Sequence, residues 1–319
     1  MKIVVSELNW PIGNELLAAK GWEVVYDPDL WKDREKLRRE LKTADALIVR
    51  NRTKVDAQLL EGEHRLKVIG RLGVGLDNID LQAAVKKNIA VVYGKNANAA
   101  SVAEYVMAAI FASVRLLKEA HADVRRGGWD RKRFTGTELY GKTVGLIGVG
   151  EIGHRVAVRA RAFGMRVLGT DPIVGSYDFP IMETGIELVS FDRVVAEADF
   201  LSLHVPLTPR TRHMIDRGVL ERMKTTAFLI NSARGGIVNE SDLDFALQNG
   251  IIAGAVLDVL EQEPPPPDHP LLQRENCIIT PHIAGLTEES QVRTAAMVAN
   301  EVIGELEGRV SLYRVHAGK

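Results

Sequence analysis

The sequence holds a single cysteine, Cys277, among 319 residues. That excludes an internal disulfide and a thiolate metal cluster, and it fits a reducing compartment. Aromatic residues are scarce at 6%, and 41 basic against 42 acidic side chains leave a formal charge of −1. This balance supplies no global basic field for nucleic acid and no long acidic tail. No apolar run approaches the ~20 residues needed to span a membrane. Met1-Lys2-Ile3-Val4-Val5 meets a polar residue too early for a secretory signal. No H-E-x-x-H or similar spacing of His, Asp and Glu occurs, so no metal is expected. What remains is the composition of a globular cytoplasmic protein, 46% hydrophobic and 26% charged, with room for two domains of roughly 150 residues.

The chain alternates short apolar runs with amphipathic stretches. The pattern predicts strands at Lys2–Ser6, Glu23–Tyr26, Ala46–Val49, Lys67–Arg71 and Ala90–Tyr93. Between them it predicts helices at Asn14–Lys20, Arg34–Leu41, Asp56–Leu60 and Leu81–Lys87. One long helix is expected from about Ser101 to Arg126, then an irregular connector to Gly141. A second series begins with strands at Thr143–Gly148, Arg166–Thr170, Phe200–His204, Ala227–Asn231, Ala253–Asp258 and Cys277–Thr280. Its helices include Ile152–Phe163, Asp192–Ala198 and Glu240–Gln248. Strands alternating with helices imply an α/β fold with parallel sheets covered on both faces. The last helix aligns Val292, Ala295, Ala296, Ala299, Val302, Ile303 and Leu306 on one face. It is expected to return to the first domain, making that domain discontinuous: 1–98 with 286–319, around a second domain at 99–285.

Two groups of residues carry chemistry. Gly148-Val149-Gly150-Glu151-Ile152-Gly153 closes one predicted strand and opens a predicted helix, and Asp171 ends the next strand 18 residues later. Together these form a dinucleotide fingerprint: tight turn, close backbone approach to pyrophosphate, and a carboxylate for the ribose hydroxyls. Asp171 repels a 2′-phosphate, so NAD is expected rather than NADP. The second group is Arg234, Glu263 and His282, each just after a predicted strand of one sheet, where open α/β sheets bind ligands. A guanidinium can fork onto a carboxylate, an imidazole can take a hydroxyl proton, and a carboxylate can hold the imidazole's tautomer. His64, His121, His154, His213, His269 and His316 read as solvated or local hydrogen-bonders, and His204 is given no chemical role.

The run Gly136 to Gly153, GTELYGKTVGLIGVGEIG, resembles the cofactor signature of the D-isomer-specific 2-hydroxyacid dehydrogenase family. So do Leu229-Ile230-Asn231-Ser232-Ala233-Arg234-Gly235-Gly236, the run Gly254–Val259 and Pro281-His282, and the match covers nearly the whole chain. The resemblance implies two doubly wound parallel-sheet domains with a cleft between them, a flavodoxin-like substrate-binding domain and a Rossmann NAD-binding domain. It implies that Arg234 binds the substrate carboxylate and carbonyl oxygen, that Glu263 partners the histidine, and that His282 is the acid/base. Asp258 would face the nicotinamide carboxamide. Glu151, Ile152, Asp171, Val205, Ser232, Ala233, Arg234, His282 and Gly285 map onto cofactor contacts. Gly73-Val74-Gly75 maps onto a loop whose amides hold the substrate carboxylate, with Val74 also touching cofactor. The family further implies a homodimer through the cofactor domains, with 100–140 as the exchanged arm.

Within the family, Val49-Arg50-Asn51-Arg52-Thr53-Lys54-Val55 and Trp129-Asp130-Arg131-Lys132-Arg133-Phe134 resemble 3-phosphoglycerate dehydrogenases, and 3-sulfolactate dehydrogenases make the same demands. With little sequence after the last helix, the C-terminal regulatory domain that many phosphoglycerate dehydrogenases carry is not expected here. Side chains at i and i+2 of an extended segment point the same way. Arg50 and Arg52 are therefore expected to reach one second anion on the substrate, joined by Arg131 or Arg133 of a partner's arm. Two other readings stay open. One is a dehydrogenase or reductase of a 2-hydroxy acid with an uncharged side chain, such as glyoxylate or hydroxypyruvate. The other is an NAD-binding co-repressor-like scaffold, which would turn over no 2-oxo acid.

Overall fold

The computed structural model describes residues 1–315, so His316 lies outside the described residues. The chain divides into two compact units, Met1–Asn98 with the residues from Leu286 on, and Ala99–Gly285.

The first unit contains β1 (Lys2–Val5), α1 (Pro11–Ala18), β2 (Glu23–Tyr26), α2 (Arg34–Leu41), β3 (Ala46–Val49), β4 (Val68–Arg71), α3 (Leu81–Lys86) and β5 (Ala90–Tyr93). The second contains α4 (Ala99–Val114), α5 (Leu117–Arg125), β6 (Thr143–Ile147), α6 (Gly153–Ala162), β7 (Arg166–Thr170), α7 (Phe179–Met182) and β8 (Glu187–Leu188). It continues with α8 (Phe191–Glu197), β9 (Phe200–Leu203), α9 (Arg217–Leu220), β10 (Phe228–Asn231), α10 (Glu240–Gln248), β11 (Gly254–Leu257) and β12 (Cys277–Ile279). The chain then returns to the first unit as α11 (Glu288–Leu306).

The first sheet is five-stranded and parallel, in the order β2-β1-β3-β4-β5. The second is seven-stranded and parallel, in the order β12-β11-β10-β9-β6-β7-β8. Both are doubly wound. In each the strand order reverses once, between β1 and β3 and between β6 and β9, and such switch points are where α/β sheets take ligands. Inner strands such as β3 and β11 are fully buried apolar runs, and each sheet carries an apolar cluster on both faces.

Helix α11 covers one face of β4 and β5 and packs on α1. Close approach is possible because β4 has Gly70, where a Cβ would lie 2.7 Å from Val302 and 2.8 Å from Val298. Each buried aliphatic side chain of this helix contributes roughly 1.5–3 kcal/mol. Thr287 and Ser290 form a reciprocal capping box at its start. Val292 departs from the expected apolar face: it is 44% exposed, and Val298 occupies the buried stripe.

Other departures have local causes. Asp56–Leu60 is a single turn rather than a helix, closed by Leu60 N donating to Asp56 O and Leu59 N to Asp56 Oδ1. Helix α1 begins earlier than expected because Pro11 sits comfortably in the first turn. The expected helix from Ser101 to Arg126 breaks after Val114, where α4 and α5 meet at a 51° bend. There Thr137 N donates to Val114 O, taking a carbonyl that helix continuation would use. Among the described residues no single helix is long and apolar enough to cross a membrane.

Candidate active site

In the second unit the turn after β6 opens onto α6. Gly148 has φ +95°, and a Cβ there would lie 2.7 Å from the His204 carbonyl oxygen, so the turn needs glycine for its own geometry. At Gly150 a Cβ would meet nothing within 4 Å. That open ground beside a helix N-terminus is a cradle for an anion. Asp171 follows β7: its Oδ2 accepts from Val149 N at 2.9 Å, and its Oδ1 from Ile173 N at 2.9 Å and Val174 N at 3.2 Å. The carboxylate thus ties the glycine turn to the next loop and retains about one lone-pair site for a further donor. Ile152 and Val205 pack against the apolar clusters, and Glu151 pairs with Arg155 at 2.5 Å. The Ser232 hydroxyl is buried without a partner, a polar atom awaiting a ligand. Open space above Gly150, a carboxylate at the end of the next strand and an orphaned hydroxyl fit a dinucleotide. Beside them, burial pushes the His204 imidazole down to about 4, so it is neutral near pH 7 and bonded to Ser202 Oγ at 3.0 Å.

The loops after β10, β11 and β12 carry Arg234, Glu263 and His282. Asn231 staples the first of these: its Nδ2 donates to Arg234 O at 2.8 Å, and its Oδ1 accepts from Ala233 N at 3.1 Å. A Cβ on Gly235 would lie 2.0 Å from Leu260 O, so glycine allows the Arg234 loop to press against the backbone leading to Glu263. Glu263 Oε1 accepts from Leu260 N at 3.2 Å, and Oε2 meets His282 Nδ1 at 2.8 Å. Burial opposes ionisation of Glu263. The His282 hydrogen bond and charge, the Leu260 amide and the Arg234 charge outweigh it and hold the carboxyl below its usual range.

His282 itself has φ +56°, a left-handed conformation uncommon for a residue with a Cβ. Asp258, 1% exposed, holds that turn. Its Oδ1 accepts from Thr280 Oγ1 at 2.6 Å and Ile283 N at 2.8 Å, and its Oδ2 from Ala284 N at 2.7 Å. Since Thr280 donates to Asp258, the Tyr105 hydroxyl on α4 must donate to Thr280 Oγ1, at 2.5 Å. Burial and the Asp258 charge push the Tyr105 hydroxyl up to about 12, against the Thr280 bond. Asp258, expected to face the nicotinamide, is therefore mostly committed to the histidine turn, with about one lone-pair site left. Gly285 closes the same turn. Sequence reasoning missed Asn231, Thr280 and Tyr105; Asn231 lies in the very run Leu229–Gly236 that pointed to Arg234.

In the first unit, Gly73-Val74-Gly75 forms a bend after β4, held by Gly94 N donating to Gly73 O at 3.0 Å. Arg50 and Arg52 follow β3, but the segment they share is curled rather than extended, so the expected i, i+2 alignment is corrected. The amides of Arg50, Asn51, Arg52 and Thr53 all turn onto Glu7. Arg50 is half-buried, lies over the Trp10 ring and donates to Gln291 Oε1. Arg52 lies over Trp31, 4.8 Å from the ring centroid. Four other histidines meet local partners: His64 the Leu60 carbonyl, His154 the Gly150 carbonyl, His213 Glu261 and His269 Glu240. Among the described residues no group of three or more His, Cys, Asp or Glu could hold a metal ion.

Comparison with known proteins identifies relatives of the chain. Residues 107–284 match the family described as D-isomer specific 2-hydroxyacid dehydrogenase, NAD binding domain. A D-3-phosphoglycerate dehydrogenase of Methanocaldococcus jannaschii is 47% identical over 87% of this chain and 53% of its own length. One of Archaeoglobus fulgidus is 41% identical over 97% of this chain and 58% of its own. The chain thus spans about half the length of the curated relatives it matches. Among solved structures, the TT0316 protein of Thermus thermophilus superposes with a TM-score of 0.91 at 34% identity, covering 99% of this chain and all (100%) of that one. An NAD-dependent formate dehydrogenase of Staphylococcus aureus, in complex with NAD, gives 0.85 at 30% identity with both chains covered completely (100%). On its NAD-binding domain, its relatives and its fold, the chain belongs to the D-isomer-specific 2-hydroxyacid dehydrogenase family.

Proposed function

We propose that this protein oxidises, or in reverse forms, a small D-2-hydroxy acid bearing a second anion, of the 3-phosphoglycerate or 3-sulfolactate kind. The observation that carries the reaction is the 2.8 Å pair of His282 Nδ1 and Glu263 Oε2, set at the strand ends of the sheet that holds the glycine turn. With Nδ1–H donated to the carboxylate, Nε2 keeps its lone pair and is the atom that accepts the substrate hydroxyl proton. Glu263, held ionised, stabilises the imidazolium that results. Arg234 grips the substrate carboxylate and the C2 oxygen through its fork of donors. Bound NAD supplies the hydride acceptor. The Gly148–Gly153 turn would hold its pyrophosphate, Asp171 its adenosine ribose, and Ser232 and the remaining lone pair of Asp258 its nicotinamide end.

The second anion rests on Arg50 and Arg52 and on the relatives named phosphoglycerate dehydrogenases. We further propose a homodimer built on 100–140, where α5 has no buried residue and Trp129 and Tyr140 are 77% and 80% exposed in the single chain. Such rings are apolar surface a partner would cover, and Arg131 or Arg133 would be the arm's contribution to a partner's site. We place the protein in the cytoplasm, where the free Cys277 thiol stays reduced. The test is NADH oxidation with 3-phosphohydroxypyruvate, 3-sulfopyruvate, hydroxypyruvate, glyoxylate and pyruvate. A dianionic acid should lead in kcat/KM by about 10² or more, the scale of one or two lost charge-assisted contacts. Pyruvate as the best substrate would remove the second anion from the reading.

A further inference from the structure

The amides of four consecutive residues converge on one buried carboxylate at the carboxyl end of the first sheet. Glu7, two residues past β1, is 2% exposed. Its Oε1 accepts from Arg50 N at 2.8 Å and Thr53 N at 2.9 Å, and its Oε2 from Asn51 N at 3.2 Å and Arg52 N at 2.9 Å. Four donors saturate a carboxylate's lone-pair sites, so Glu7 has no capacity left for solvent or substrate. The carbonyls of the same loop are held from the other side: Asn78 Nδ2 donates to Arg50 O at 3.1 Å and to Thr53 O at 2.8 Å. Thr53 Oγ1 also pairs with Ser6 Oγ at 2.9 Å.

Backbone amides aimed inward in this way form an anion-binding nest, and here the protein fills its own nest. The effect is to fix the backbone from which two guanidiniums project, one over Trp10 and one over Trp31. Burial pushes the Arg50 guanidinium down, and the neighbouring Glu7 charge works against that. We propose that Glu7 is a positioning residue for specificity: it shapes the Arg50–Thr53 loop so that Arg50 and Arg52 are preset for the substrate's second anion. The inference rests on the substrate class proposed above.

The physical reason is preorganisation. Two flexible arginines on a loose loop lose more conformational freedom on binding than the same two on a backbone already fixed by six side-chain bonds. Glu7 touches no substrate in this scheme and acts through the loop.

Steady-state kinetics of the full chain with NADH test it. Glu7→Gln replaces one acceptor oxygen by an NH2 that cannot receive the two amides facing it. It should raise KM for 3-phosphohydroxypyruvate about tenfold while kcat stays within about twofold, the scale expected when part of one charged contact is lost. The preference for that substrate over glyoxylate should fall by the same factor, and Glu7→Asp, whose carboxylate keeps part of the nest, should lie between Gln and wild type. Should Glu7→Gln fail to fold, Asn78→Ala loosens the same loop from its carbonyl side and should raise the same KM by a smaller factor. A folded Glu7→Gln with unchanged KM, or one that loses kcat equally on both substrates, overturns the inference. The Arg50→Ala, Arg52→Ala double variant separates it from the substrate reading. If the double variant keeps the preference for 3-phosphohydroxypyruvate, the substrate reading has failed. If it loses the preference while Glu7→Gln keeps it, only the role of Glu7 has failed.

Discussion

Glu7 in the first unit and Asp258 in the second are the same device used twice. Each is a carboxylate almost sealed from solvent just past the strand next to one edge of its sheet, and each spends its oxygens on the loop of a neighbouring element. They differ in what they connect. Glu7 binds only backbone amides and shapes a loop by itself. Asp258 takes one of its bonds from the Thr280 hydroxyl, which takes its own from Tyr105 on α4. The chemical loop of the second unit is thus anchored to a helix as well as to a strand, and it tolerates a histidine at φ +56°. The lesson is that loop geometry at the carboxyl end of a sheet is fixed by buried charge, and that the loop carrying His282 has a helix as its second anchor.

The largest way to break the second-unit side is at its tip. His282→Ala should cut turnover by about 10²–10⁴, the usual scale for general acid–base catalysis, while NADH affinity by fluorescence titration stays nearly intact. Normal turnover would remove the histidine from the chemistry. On the first-unit side, Arg50→Ala should lower kcat/KM for 3-phosphohydroxypyruvate relative to glyoxylate by about 10–10², the worth of one charged hydrogen-bonded contact. An unchanged ratio would make the arginine structural, held by Trp10 and Gln291 alone. Asp171→Ala should shift the ratio of kcat/KM for NADH over NADPH about tenfold toward NADPH, through lost ribose bonds and lost repulsion; wild type preferring NADPH would show the position misread.

The smallest effect is on stability. The Glu263 carboxyl titrates below the ordinary value of 4.5 in the folded chain. Its contribution is therefore complete above that value and is lost as pH falls through the lower folded pKa. Tm of wild type minus Tm of Glu263→Gln should be positive above pH 4.5 and shrink as pH drops below it. A difference that grows on acidification would reverse the sign assigned here.

How much of this could be read from the sequence depends on distance along the chain. Buried strands such as Ala46–Val49 and Gly254–Leu257 are unbroken apolar runs, and the Gly148 turn is a contiguous motif, so both were legible. Arg234, Glu263 and His282 could be singled out as candidates because each follows a strand, and the structure brings His282 onto Glu263. Glu7 could not: its partners stand 43 to 46 positions away, and only the strand order β2-β1-β3 makes them neighbours. The break at Val114 was hidden for the same reason, since the competing donor is on Thr137. The i, i+2 alignment of Arg50 and Arg52 assumed an extended backbone, where the structure has a loop curled onto Glu7.

The close seat of α11 on Gly70 has a consequence for synthesis. The strands of the first unit leave the ribosome long before the helix that covers one face of β4 and β5. The whole of the second unit is made in between, an interval on the order of ten seconds. During that time Val68, Val92 and Ile48 belong to a sheet face without its cover. A nascent chain stopped before Glu288 therefore lacks the cover of that face, and the packing of the first unit is completed only by the last helix made.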